Sequence, residues 1–84
     1  MYRIAWTRKA QKQLLAIAHA HRKPIVDAVE GLAQWPGCQN VRNLVNRDGY
    51  RLRVGRYRVL FTVHEGECHI IQVEEVKKRD ERTY

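Results

Sequence analysis

The sequence predicts an α+β domain of order β-α-α-β-β-β, with a helical hairpin on one face of a mostly antiparallel sheet. Three observations predict it. A strand-like opening, Tyr2 to Trp6, runs into two stretches of helical periodicity. From Tyr50 onward the apolar period drops to two. Between strand-like runs stands Gly55-Arg56, a two-residue turn signal.

Each element has its own warrant. YRIAW, residues 2–6, is the first strand. Thr7 is placed to cap the helix that follows, RKAQKQLLAIAHA. Ala10, Leu14, Leu15, Ile17 and Ala18 give that helix one apolar stripe. HRK ends it, and Pro24 suits the first turn of a second helix, where its missing N–H costs nothing. Ile25, Val26, Val29, Leu32 and Ala33 form the second apolar face, which Trp35-Pro36-Gly37 closes. Val41, Leu44 and Val45 read either as a short strand or as a docked loop, and Asn46-Arg47-Asp48-Gly49 as a turn. Strands are expected at about 50–54, 57–63 and 68–76 by period-two alternation.

A glycine at the first central position makes the 55–56 loop a type II′ turn, which fixes the register of its hairpin. Val54 then opposes Tyr57, Leu52 opposes Val59 and Tyr50 opposes Phe61, all toward the helices. On the other face Arg53 lies opposite Arg58, and Arg51 opposite Leu60. Like charges across a strand pair are destabilising, so the arrangement needs a reason. A three-residue loop from Glu65 to Glu67 would bring Glu74 opposite Arg58, as a partial counterion worth about 0–1 kcal/mol.

Eighty-four residues carry 16 Lys and Arg against 9 Asp and Glu, a net +7. Five of the arginines fall between Arg47 and Arg58, with Asp48 as the one acid among them. Concentrated positive charge on an open sheet face favours a nucleic-acid backbone as partner. A chain this short has a thin core, so a site belongs on a sheet surface and a deep cofactor cavity is not expected. No segment approaches the roughly 20 apolar residues of a membrane span, and MYRIAW is no signal-peptide core. Cys38 and Cys68 form no CxxC, which predicts reduced thiols in the cytoplasm, with Cys68 in the core. His19, His21, His64 and His69 lack zinc spacing, and no metal or other cofactor is expected.

The end of the chain, KKRDERTY, interleaves Lys77, Lys78, Arg79 and Arg82 with Asp80 and Glu81 before Tyr84. The last strand delivers it to one edge of the sheet, where Arg79 approaches the arginine face and Tyr84 offers a ring to a base. A solubilising terminus is the plain alternative.

YRLRVGRYRVLFTV followed by VKKRDERTY resembles the core of RelE-type toxins of bacterial toxin–antitoxin pairs, in the RelE/ParE superfamily. The resemblance covers the whole chain, residues 1–84, as one RelE-like domain. It implies a ribosome-dependent endoribonuclease that cuts mRNA in the A site without metal, by attack of a 2′-hydroxyl on the adjacent phosphate. Carried over by position, the catalytic residues are Arg58, Arg79, Tyr84 and Arg53. Arg51, Arg56, Lys77, Lys78 and Arg82 are expected to contact RNA. Guanidinium groups suit the charge that develops on the phosphorane.

One departure concerns the base. Better-known members carry lysines on the strand before the arginine strand, where this sequence has Arg53 and then Gly55 or Arg56. Arginine stays protonated to about pH 12 and makes a poor base. Either Lys77 or Lys78 supplies it, or Tyr84 does, or the rate rests mainly on orientation and charge. The resemblance also implies an acidic antitoxin, and a toxin–antitoxin complex that binds operator DNA through the antitoxin. Two alternatives share the fold class: a ParE-like toxin acting on DNA gyrase, and a noncatalytic RNA-binding module.

Overall fold

The computed structural model describes residues 1–78. The elements are β1 (Arg3–Trp6), α1 (Arg8–Leu15), α2 (His19–Glu30), a 3₁₀ turn (Gly31–Gln34), β2 (Val41–Asn43), β3 (Tyr50–Val54), β4 (Tyr57–Glu65) and β5 (His69–Lys78). They form one sheet in the order β1-β5-β4-β3-β2. Every pairing is antiparallel except β1 with β5. The expected order holds, and the stretch read as strand or docked loop is the short β2.

Thr7 caps α1 as its sequence position implies: its Oγ1 accepts the Ala10 N–H at 3.1 Å and donates to the Glu74 carbonyl at 3.1 Å. One hydroxyl thus ties the start of the helix to β5. Thr7→Ala is expected to cost about 1–2 kcal/mol, read as a melting temperature lower by roughly 4–16 °C in thermal denaturation. A smaller loss would mean that water replaces both bonds.

The link between the helices differs from expectation. α1 ends at Leu15, and α2 begins at His19, so Pro24 lies inside α2 rather than in its first turn. Arg22 explains the tight link: its Nε donates to the Ile17 carbonyl and its Nη2 to the Leu15 carbonyl, both at 2.8 Å. A side chain from the second helix satisfies the last carbonyl of the first and one in the link after it, so no longer loop is required.

The helices bury Ala10, Ile25 and Val29 against Leu52, Val59, Phe61, Ile71, Val73 and Val76 of the sheet, with Leu32 of the 3₁₀ turn. Trp35 and Tyr50 flank Phe61, each with ring centroids 5.6 Å from it. The hairpin register is the predicted one at all five positions from Tyr50↔Phe61 to Val54↔Tyr57. Gly55 has φ +55°, which the first central position of a type II′ turn demands.

The β4–β5 pairing corrects two expectations. The loop is Gly66 to Cys68, one residue later than predicted, so Cys68 is exposed in the turn rather than packed in the core. A bulge then shifts the register between Leu60 and Phe61. Phe61 pairs with Val73 but Leu60 with Glu75, leaving Glu74 as the extra residue. Arg58 therefore stands opposite Lys77, not Glu74. The physical reason is burial: Val73 and Val76 both reach the core, and three residues of spacing need one residue bulged out to keep both inside.

Candidate nucleic-acid interface

Alternation along β2 to β5 sends one set of side chains to the helices and the other to the opposite, open face. Two rows cross that open face from strand to strand. The first is Arg53, Arg58 and Lys77, joined by the pairs Arg53↔Arg58 and Arg58↔Lys77. The second is Arg42, Arg51, Leu60 and Glu75, joined by Arg42↔Arg51, Arg51↔Leu60 and Leu60↔Glu75. Beyond them the bulge turns Glu74 onto the same face, where its Oε2 accepts bonds from Thr62 Oγ1 at 3.2 Å and Gln72 Nε2 at 2.7 Å.

Electrostatics divide these rows. Among the described residues Arg42, Arg51, Arg53 and Arg58 form no ion pair with a carboxylate. The first row is thus three like charges in line with no acid in it. The second ends in a carboxylate that gathers cations from three segments. Glu75 meets Lys9 of α1 at 3.2 Å, Lys77 at 3.5 Å and Arg47, from the loop before β3, at 3.7 Å. Leu60, directly across from Glu75 on β4, is 7% exposed. The Glu75 side chain is 14% exposed. Burial pushes its carboxyl up, but the Lys9 hydrogen bond and the charges of Lys77 and Lys9 outweigh that and hold it below the ordinary carboxylate value.

Local structure holds the partners of this carboxylate in place. α1 lies along β5, where β1 has stopped, and Gln13 Oε1 accepts the Val76 N–H at 2.7 Å. That bond fixes the strand segment between Glu75 and Lys77. Arg47 sits in a loop closed by the Leu44 N–H to Gly49 carbonyl bond at 3.0 Å. Gly49 has φ +119°, and a Cβ there would meet the Phe61 carbonyl at 3.0 Å, so the turn admits glycine alone without strain.

The expected site residues separate into three groups. Arg51, Arg53, Arg58 and Lys77 are brought together on the open face. Arg56 sits in the hairpin turn at one end of it. Lys78 pairs with Tyr57, whose side belongs to the helices, so alternation sends it away from Lys77 and the arginines. Arg79, Arg82 and Tyr84 lie outside the described residues. Lys9, Arg42, Arg47 and Glu75 are functional candidates that sequence reasoning missed. Among the described residues no three His, Cys, Asp or Glu side chains converge as metal ligands would, and no helix is long and apolar enough to cross a membrane.

A strand, two helices and a meander with a cationic open face define a toxin of the RelE/ParE superfamily. The model of the family described as ParE toxin of type II toxin-antitoxin system, parDE, matches residues 4–83, and the chain belongs to that family. Its fold is similar to archaeal RelE in the RelE–RelB complex from Pyrococcus horikoshii, with 26% identity over 95% of this chain and 97% of that one, at a TM-score of 0.78. It is similar to the isolated E. coli RelE toxin, with 17% identity, 99% and 89% coverage and a TM-score of 0.82. The YoeB/ParE toxin from Agrobacterium tumefaciens is similar at 15% identity, 95% and 100% coverage and a TM-score of 0.74. No curated protein matches the chain in sequence.

Proposed function

We propose that this toxin is a ribosome-dependent mRNA endoribonuclease that inhibits translation. The 2′-hydroxyl attacks the adjacent phosphate and leaves a 2′,3′-cyclic phosphate. The observation that carries the reading is the row Arg53, Arg58 and Lys77, three cations in line with no acid among them. Such a row is costly in the free protein and is repaid when a phosphodiester lies along it. Arg58 and Arg53 take the charge that grows on the phosphorane. By the resemblance, Arg79 serves the leaving oxygen, and Tyr84 stacks on or orients the base beside the cut. The reaction needs no metal, since guanidinium groups supply the positive charge. The protein works in the cytoplasm, and an acidic antitoxin covers the basic face and carries the pair to operator DNA.

A second reading is favoured by the family's own description as ParE: a toxin that acts on DNA gyrase by binding. One experiment separates the two. Programmed ribosomes incubated with the protein are expected to yield mRNA cut at the A-site codon, ending in a cyclic phosphate. A message with 2′-deoxyribose just upstream of the cut is expected to stay intact. Cleavage of the deoxy message, or intact mRNA alongside gyrase-dependent DNA breaks, overturns the ribonuclease reading.

A further inference from the structure

The ribonuclease reading requires a group that takes the proton of the 2′-hydroxyl, and the arginines of the open face are unsuited to it. The bulge supplies another candidate. By inserting Glu74 it sets Glu75 opposite Leu60, on the same face as Arg58 and one strand position from Lys77. Glu75 is thus a carboxylate inside a basic site, 14% exposed, with Lys9 and Lys77 as its nearest cover. Those two lysines are themselves 64% and 53% exposed. They are long, flexible and free to turn toward an arriving anion.

Resting on the ribonuclease reading, we propose that Glu75 is the proton acceptor, uncovered when the scissile phosphate draws Lys9 and Lys77 away from it. A phosphodiester held by Arg58 and Lys77 brings its neighbouring ribose beside the carboxylate. Glu75 takes the 2′-hydroxyl proton as the 2′-oxygen bonds to phosphorus. The bond from phosphorus to the 5′-oxygen breaks, and that oxygen leaves as a hydroxyl with a proton from solvent. Glu75 then returns its own proton to water. The groups that face it set its basicity: Lys9 from α1, Arg47 from the loop before β3, Lys77 and Glu74 from β5, and Arg58 diagonally on β4. With the lysines in place the carboxylate is a weak base. With them transferred to a phosphate, and an anion beside it, the carboxylate holds a proton more firmly and becomes a better one.

The test is kinetic, on programmed ribosomes with the full chain. Glu75→Gln is expected to lower kcat by about 100-fold or more, while RNA binds as well or better because an acid has left a basic face. In the parent, the acid limb of kcat/KM is expected at lower pH than that of kcat, because the first reports the covered carboxylate and the second the uncovered one. Lys9→Met, at an exposed position, is expected to move the kcat/KM limb to higher pH. It keeps the inference testable if Glu75→Gln melts. A Glu75→Gln protein that cuts like the parent overturns the assignment and leaves the ribonuclease reading standing. So does one whose RNA binding falls in step with its cleavage, since that marks an anchor for the lysines. A Lys9→Met limb that does not move overturns it as well. A parent that cuts no mRNA at all overturns the ribonuclease reading itself, and the assignment with it.

Discussion

Arg58→Ala is expected to remain folded and to lose the growth arrest expected of the parent on induced expression. The residue is central in the row Arg53, Arg58 and Lys77, with a cation directly across each strand boundary. On the ribonuclease reading, removing it should cost RNA cleavage on the order of 100- to 1,000-fold, the usual effect of deleting one preorganised group that stabilises transition-state charge. Stability should move the other way. Each like-charge cross-strand pair destabilises by roughly 0.2–1 kcal/mol, and the substitution relieves two of them. The melting temperature is therefore expected to stay level or to rise, with a weaker dependence on salt than in the parent. Growth arrest at parental strength from the soluble variant would place the site elsewhere. A collapse of the melting temperature would show that the Arg58 stem is packing that the sheet needs.

Phe61→Ala is expected to have the largest effect on folding. Phe61 is fully buried and packs against Trp35 and Tyr50. Truncating a buried phenylalanine costs about 3–5 kcal/mol, against a total of about 5–15 kcal/mol for a folded domain. For a chain of this size the melting temperature should fall by more than about 12 °C, with the urea midpoint falling alongside it. The variant should also lose function in cells through low abundance rather than altered chemistry. A loss under about 1 kcal/mol would mean that Trp35 closes the space. Because Phe61 faces the helices and Arg58 the open face, the two substitutions test the two sides of one sheet separately.

The sequence was most legible where local chemistry decides. Gly55 needs a positive φ, and that requirement alone sets five cross-strand pairs, including the costly Arg53↔Arg58. Thr7 caps α1 because an oxygen was available at the one position where it was wanted. Reading failed where distant side chains decide. Arg22 ends α1 by reaching back to carbonyls five and seven residues away, and nothing in the HRK stretch signals such a reach. The bulge is a different case, because its signal was present. Val73, Glu74, Glu75, Val76 breaks the period of two with a pair of acids between two valines, and keeping both valines inside requires a bulge. Missing it, together with the loop placed one residue early, cost the partner of Arg58 and the place of Glu75 in the site. Lys9 had no signal at all, and Arg47 only its place in the arginine-rich run, since their contact with Glu75 rests on helix and loop placement around β5.

The bond from Val76 to Gln13 has a consequence for how the molecule meets its own copies. A strand edge with unmet N–H and carbonyl groups is a template for pairing with another chain, and small sheets are prone to such aggregation. Here β1 covers β5 only from Ile70 to Val73, and α1 continues the cover by lending a side-chain oxygen to the ladder. At the other edge β2 is three residues long and carries Arg42. Neither edge offers a long apolar strand for a second copy to extend. A net charge of +7 further disfavours contact between identical copies and favours acidic partners.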